Sequence, residues 1–147
     1  MKYSYKITKY DSSKEKYDEW TSISDIKDIS TYQEYIKIES SYINSILEIC
    51  KNINISSLTI KELEIKQDGM SQKYTEGQDI DILNIDTIIR SVLREKLWCK
   101  LISKDCEFHF GYDYYMYVVT NENIQDSFKK FDSVLYVEEF KSPYLNK

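Results

Sequence analysis

The densest run of aromatic and β-branched residues in the chain spans residues 97–120, and it predicts a β-hairpin. Two apolar stretches, residues 97–102 and 107–119, flank the polar turn at Lys104 and Asp105. A turn centred there places Trp98 opposite Gly111, so that the indole covers the bare glycine backbone. The same register predicts one core-facing set, formed by Leu97, Cys99, Leu101, Phe108, Phe110 and Tyr112, and sets Lys100 opposite His109 on the other face.

Alternation and helical spacing predict further elements on both sides of this hairpin. Residues 31–51 carry apolar side chains at helical spacing after a capping box at Ser30 and Gln33 or at Thr31 and Glu34. The other predicted elements, in chain order, are a strand at 2–10, a loop at 11–19, a strand at 58–65, a loop at 67–79, a helix from Asn84 or Asp86 to 96, a weaker helix at 121–131 and a strand at 133–140. The strand at 58–65 is predicted to contain an irregularity near Lys61 and Glu62. The helix that ends at 96 is predicted to carry Arg90 and Arg94 on its solvated side.

The resulting order, β-α-β-α-β-β-α-β, predicts a single α+β domain over residues 1–147, with helices packed on a mixed or mainly antiparallel sheet. A chain of 147 residues can bury roughly 68–70% of the surface that its unfolded form exposes. Hydrophobic residues make up 41% and charged residues 31%, with three glycines and one proline. This composition is typical of a folded globular protein and not of a low-complexity segment.

Charge, apolar runs and cysteine content indicate the kind of partner and the cellular compartment. The formal net charge is −5 and the longest basic cluster is Lys129 with Lys130, which disfavours nucleic acid as a partner. The N-terminus lacks the apolar run of a signal peptide, and no apolar run approaches the roughly 20 residues that span a bilayer. Three cysteines without CxxC spacing favour reduced thiols. We therefore expect a cytoplasmic protein without a membrane partner.

The sequence contains no recognisable catalytic or metal-binding motif. His109 is the one histidine, and Glu107 and Asp113 are the nearest carboxylates on its side of the strand. An enzyme that uses His109 with one of these acids remains an alternative. One histidine gives no three-ligand metal site, and the three glycines form no phosphate-binding loop. We therefore predict no catalytic residues, no metal and no cofactor.

A binding function needs only an anchor cluster with charged surroundings. The hairpin face away from the core is predicted to carry Trp98, His109, Tyr115 and Tyr117, with Asp113 among them. Aromatic anchors next to acid are typical of a contact site for a basic protein. Two alternatives remain open, namely that helices cover this face as well, or that an apolar pocket under the tyrosine-rich sheet makes this a small-molecule-binding or sensory domain.

Four segments carry a resemblance to a known group of proteins. They are EWTSISDI, LREKLWCKLIS, HFGYDYYMYV and VEEFKSPY, and together they resemble small bacterial immunity proteins of polymorphic-toxin and contact-dependent inhibition systems. The resemblance implies a stand-alone cytoplasmic protein that binds a cognate toxin domain and blocks it, by occupying its active site or by holding it inactive. The chain departs from that pattern at Lys27, where a glycine is expected after SDI, which leaves the following turn open.

Overall fold

A computed structural model describes residues 1–11, 13 and 19–145, and its centre is a seven-stranded antiparallel sheet. The strands are β1 (Tyr3–Thr8), β2 (Ser57–Ile65), β3 (Asp79–Asp81), β4 (Leu97–Ile102), β5 (Cys106–Phe110), β6 (Met116–Thr120) and β7 (Tyr136–Glu139). Three α-helices, α1 (Ile29–Asn52), α2 (Ile85–Leu93) and α3 (Gln125–Phe128), complete the described fold. The strand order is β3-β2-β4-β5-β6-β1-β7. The predicted α+β class is confirmed, and the predicted loop at 11–19 lies largely outside the described residues.

The hairpin of β4 and β5 has the predicted register, with Leu101 opposite Phe108. The second apolar stretch, however, is two strands and not one. A turn at Tyr112–Tyr114 ends β5, and β6 then pairs back along β5. Tyr112, predicted to face the core, is 84% exposed, because the strand has ended before it. The added strand changes the predicted element order.

Strand β2 contains the predicted irregularity. Its register against β4 shifts between Lys61 and Glu64, and Glu62 adopts a φ of 56° inside the shift. A bulge of this kind re-aims the side chains that follow it, and it places Glu64 opposite Trp98. The loop predicted at 67–79 ends in the edge strand β3, which is too short to show an alternating pattern.

Helix α1 packs its apolar side on the sheet, where Tyr35, Tyr42 and Ile46 are fully buried. Ser41 and Ser45, predicted on the solvated side, are buried as well. The hydroxyl of Ser45 donates to the carbonyl of Tyr42 at 2.7 Å. A serine that bonds to its own helix in this way can be buried with its polar group satisfied.

The N-terminus of α1 is capped by Asp28. Its carboxylate accepts a hydrogen bond from the backbone N–H of Thr31 at 2.8 Å, and this bond lowers the pKa of Asp28. The predicted capping boxes at Ser30 and Thr31 are therefore wrong, because the helix begins at Ile29. An aspartate at this position satisfies a free N–H and interacts favourably with the helix dipole.

A buried ion pair joins α1 to α2. Glu39 is fully buried and accepts a hydrogen bond from Arg90 Nη1 at 2.7 Å. Arg94 donates to the same carboxylate through Nε and Nη2, each at 2.8 Å. Burial raises the pKa of Glu39, but the hydrogen bonds from Arg94 and Arg90 outweigh it and hold the pKa below its usual value. Both arginines were predicted to be solvated, and the structure instead directs them to Glu39.

We expect Glu39→Gln to lower the free energy of unfolding by about 2–4 kcal/mol at neutral pH, because two cations lose a buried charged acceptor. The folded-state pKa lies below the usual value of 4.5, so the ion pair contributes fully above that pH and its contribution is lost as the pH falls through the lowered pKa. Urea denaturation at neutral and at acidic pH measures both effects. An equal deficit at both pH values would contradict this account. Glu34→Gln, on the exposed side of α1, is the control.

Candidate functional site

The five residues predicted to contact a partner fall into two groups. Trp98, His109 and Tyr117 lie on the sheet face away from the helices, whereas Asp113 and Tyr115 lie in and after the turn between β5 and β6. His109 is fully buried and Tyr117 is 5% exposed. Trp98 and Tyr115 are partly exposed, and Asp113 is exposed.

The C-terminal segment, residues 140–145, covers this face of the sheet. The ring of Tyr144 lies 5.6 Å from that of Trp98, 6.1 Å from that of His109 and 6.0 Å from that of Tyr117. The face is therefore covered, as one sequence-based alternative held, but by an irregular segment and not by helices.

Gly111 is covered by a different ring from the one that the hairpin register predicts. The edge of the Tyr117 ring lies 3.2 Å from the point where a Cβ on Gly111 would sit, and the hydroxyl of Tyr144 lies 3.4 Å from it. Trp98 instead donates its indole N–H to the carbonyl of Phe110 at 2.8 Å. The absence of a side chain at Gly111 thus lets two tyrosines approach the backbone.

His109 fixes the C-terminal segment to the sheet. Its Nε2 lies 2.9 Å from Glu107 Oε1, and its Nδ1 lies 2.7 Å from Ser142 Oγ. Because a carboxylate only accepts, Nε2 carries the proton, and Nδ1 of the neutral ring accepts from the Ser142 hydroxyl. That hydroxyl accepts in turn from the N–H of Tyr144 at 3.2 Å. The carboxylate beside the histidine is thus Glu107 and not Asp113.

Glu107, His109 and Ser142 are the residue types of a serine hydrolase, but they are inaccessible in this conformation. His109 is fully buried and Ser142 is 3% exposed, so a substrate cannot reach the hydroxyl. Burial lowers the pKa of His109, and this effect exceeds the opposing effect of Glu107. The lowered pKa keeps the ring neutral. All three cysteines are free and buried, and burial raises the pKa of Cys99 to about 12. Such thiols are weak nucleophiles.

An open cavity of about 280 Å³ lies beside the covered face. It forms where the end of α2, the start of β4, the bulge of β2 and the turn between β5 and β6 meet. Aromatic side chains form much of its lining, among them Trp98, Tyr112 and Tyr144. Two of the predicted contact residues, Trp98 and Asp113, therefore belong to one concave site.

The charged residues that line the cavity are mostly acidic. Four are the carboxylates Glu62, Glu64, Glu95 and Asp113, and one is the cation Lys66. Glu62 pairs with the buried Lys100 at 2.5 Å. Within the part of the chain that the structure describes, the other three carboxylates form no ion pair. The cavity therefore carries uncompensated negative charge.

The backbone around the cavity is strained. Among the described non-glycine residues, five have a positive φ, and four of these line the cavity, namely Glu62 (56°), Glu95 (63°), Asp113 (60°) and Tyr114 (67°). Each such conformation costs roughly 1–2 kcal/mol in a non-glycine residue. Strain of this kind is found preferentially at functional sites, and its concentration here singles out the cavity.

Two tyrosine hydroxyls hold the turn between β5 and β6 in place. The Tyr10 hydroxyl donates to the carbonyl of Asp113 at 2.7 Å, and the Tyr42 hydroxyl donates to the carbonyl of Tyr114 at 2.8 Å. These bonds connect the strained residues to the segment that follows β1 and to α1. The cavity wall is therefore preorganised in the free protein.

Comparison with protein-family models, curated proteins and solved structures finds no significant match. Within the described residues, no group of three His, Cys, Asp or Glu side chains is placed to hold a metal ion. No helix in that part of the chain is long and apolar enough to cross a membrane. The function is therefore inferred from the cavity and from the residues around it.

Sequence reasoning missed Glu64, Glu95 and Tyr144 as neighbours of Trp98. Glu64 reaches the cavity through the register shift of β2, Glu95 through the end of α2, and Tyr144 through the docking of the C-terminal segment. The irregularity predicted near Glu62 indicates that the side chains after it, including that of Glu64, change direction. It does not indicate which strand lies opposite Glu64.

We expect stability to depend on the protonation of His109. Its folded-state pKa lies below the usual value of 6.5, so the neutral ring's contribution is complete above that pH and is lost as the pH falls through the lowered pKa. Because the chain has one histidine, His109→Gln should flatten the increase in the free energy of unfolding between about pH 5.5 and 7.5. Urea denaturation at both pH values measures this. An unchanged pH slope in the variant would show that burial does not keep His109 neutral.

We expect Glu95→Gly to raise the free energy of unfolding by about 0.5–1 kcal/mol. Glu95 has a φ of 63°, and the next N–H, that of Lys96, donates to the carbonyl of Ser91 at 2.9 Å, which is a helix end that favours glycine. Asn54, with a φ of 60° after α1, is the matched control. Asn54→Gly should raise the free energy of unfolding by less, because asparagine adopts a positive φ more readily than glutamate does. Thermal and urea denaturation measure both variants. A less stable Glu95→Gly protein would show that the side chain contributes more than its strain costs.

Proposed function

We propose that this chain is an immunity protein, which binds a basic bacterial toxin domain and neutralises it by protein–protein contact at the cavity and its rim. The observation that carries the proposal is the combination of exposed aromatic surface and unpaired carboxylates around one concave site. The resemblance of four sequence segments to immunity proteins supplies the biological role. The proposed setting is the cytoplasm, where the toxin would act.

Exposed aromatic side chains support a contact site at this position. The ring of Tyr112 is 84% exposed, so it contributes little to the folded core. Tyrosine and tryptophan provide large contact areas with few rotatable bonds, and they are enriched among the residues that dominate binding energy. Tyr112 and Trp98 line the same cavity, so one partner element can contact both.

The charge distribution supports a basic partner. The whole chain carries a formal net charge of −5, and Glu64, Glu95 and Asp113 add a local negative field at the cavity. Complementary charge accelerates association and excludes acidic partners, and its effect weakens as salt is added. The field and the aromatic rings lie at one site, as a specific interface requires.

The five predicted contact residues take different roles in this proposal. Trp98 and Asp113 contact the partner directly, because both line the cavity. Tyr115 lies beside the turn with Lys6 Nζ 5.2 Å from its ring centre, at the edge of the contact area. His109 and Tyr117 lie beneath the C-terminal segment and support the wall that Tyr144 forms.

A small-molecule-binding or sensory function is the second candidate, and the cavity itself favours it. Ligand sites are concave and largely apolar, with a few polar groups that orient the ligand. The cavity has aromatic walls and a volume of about 280 Å³, near the lower end of the roughly 300–1,000 Å³ typical of such sites. In this case a ligand would stabilise the isolated protein without any protein partner.

Co-expression with the product of the gene immediately upstream tests the immunity function. We expect the partner to arrest growth alone, and the present chain to restore growth and to co-purify with it. Replacing two cavity carboxylates, as Glu64→Gln with Glu95→Gln, should weaken binding about tenfold, because two charge contacts are lost. The control with the same change in net charge is Glu122→Gln with Glu139→Gln, at exposed sites that do not line the cavity.

Each result of this experiment has a definite meaning. A harmless upstream product that does not bind would contradict the immunity function. Equal weakening in both double variants would show that overall charge, and not the cavity, governs association. Full binding by the cavity double variant would place the contact surface elsewhere. Circular dichroism and thermal denaturation establish that each variant is folded before its affinity is compared.

A further inference from the structure

The cavity has the size of a site for one side chain. Its volume is about 280 Å³, near the lower end of the roughly 300–1,000 Å³ typical of ligand sites. The strained turn on one side and the end of α2 on the other bound it. A single long side chain, or a fragment of similar size, fits such a space.

Aromatic side chains form much of the cavity lining, among them Trp98, Tyr112 and Tyr144. The indole N–H of Trp98 already donates to the carbonyl of Phe110 at 2.8 Å, so this donor is not available to a ligand and Trp98 offers its aromatic ring. The centre of the Tyr144 ring lies 5.6 Å from that of the Trp98 ring. Lys100 Nζ donates a hydrogen bond to the backbone carbonyl of Tyr144 at 2.7 Å and holds Tyr144 in place. Aromatic faces attract cations through their quadrupole, most strongly when the cation is desolvated.

The carboxylates select a ligand that only donates hydrogen bonds. Glu64, Glu95 and Asp113 come from three separate parts of the chain and have no ion-pair partner among the described residues. An ionised carboxylate only accepts, so the complementary group is a cation with several donors. A guanidinium has five N–H donors in one plane and stacks on aromatic rings, whereas an ammonium is a compact, strongly hydrated charge.

The protein already binds a guanidinium in this way elsewhere. Arg94 donates two hydrogen bonds to Glu39 at 2.8 Å each, and its guanidinium carbon lies 5.8 Å from the centre of the Tyr35 ring. That site pairs a carboxylate with a tyrosine face around a planar cation. The cavity offers the same two components, without a guanidinium of its own chain among its lining residues.

We propose that the cavity is a receptor for a single arginine side chain, stacked on the aromatic walls and paired with Glu64 and Glu95. The source of that arginine, an exposed residue of the toxin domain, rests on the proposed immunity function. The chemistry of the site does not depend on it and can be tested on the isolated protein.

Titration of the isolated chain with N-acetyl-arginine amide, followed by NMR, tests the proposal. We expect binding on the order of 1 mM, with shifts of the Trp98 indole resonance and of the backbone amides of Glu95 and Gly111. The backbone amide of Glu122, at an exposed site that does not line the cavity, serves as the internal reference. The citrulline analogue has nearly the same shape without the charge, and it should bind at least tenfold more weakly.

Variants and a second cation complete the test. Glu64→Gln with Glu95→Gln should weaken binding of the arginine amide at least threefold, whereas Glu122→Gln with Glu139→Gln should leave it unchanged. N-acetyl-lysine amide should bind more weakly than the arginine amide. Equal affinity for arginine and citrulline, equal affinity for arginine and lysine, or no binding of the arginine amide would each overturn the proposal.

These outcomes are separable from those of the co-expression experiment. If the arginine amide binds and the upstream product does not, the receptor stands and the immunity function fails. If the upstream product binds and the arginine amide neither binds nor competes with it, the immunity function stands and the arginine receptor is overturned.

Discussion

A single buried carboxylate links α2 to α1. Glu39 is fully enclosed and holds Arg90 and Arg94. A buried charge that loses its partners is strongly unfavourable, so α2 cannot shift along α1 without breaking these bonds. The residue after Arg94 is Glu95, which ends the helix and enters the cavity wall. The ion pair in the core thus fixes the position of a carboxylate at the candidate site.

The second face of the sheet depends on its own set of polar contacts. Lys100, His109 and Ser142 are all buried, and each has a partner in the C-terminal segment or on a neighbouring strand. Buried polar groups remain stable only when they are hydrogen-bonded, so these residues specify where the segment docks. Because Tyr144 belongs to that segment and lines the cavity, the docking contacts also shape the site.

The candidate site lies where regular structure ends. A bulge in β2, the end of α2 and the turn before β6 each bring a residue with positive φ to the cavity. The strands and helices hold these irregular positions rigidly, as binding sites on a scaffold require. An immunity function and a small-molecule function would use the same surface, since aromatic faces and free carboxylates suit a cationic group from either source.

Local sequence patterns predict the elements that depend on residues close together in the chain. Alternation located β1 and the β4–β5 hairpin with its register, helical spacing located α1, and the break in alternation near Glu62 located the bulge of β2. These features depend on side chains two to four positions apart, and a hydrophobic pattern records such spacings directly. The same alternation places Trp98 on the correct face of β4, whereas Asp113, predicted on that face, lies in the turn that ends β5.

Contacts between residues far apart in the chain follow from tertiary packing and not from any local pattern. Glu39 and Arg94 are 55 positions apart, and His109 and Ser142 are 33 apart, so no local period links them. Arg94 and Ser142 are ordinary polar residues in sequence, and their roles follow from burial beside a specific partner. The same holds for Glu64 and Glu95, because strand pairing and helix docking bring them to one cavity, and these are set by packing across the whole chain.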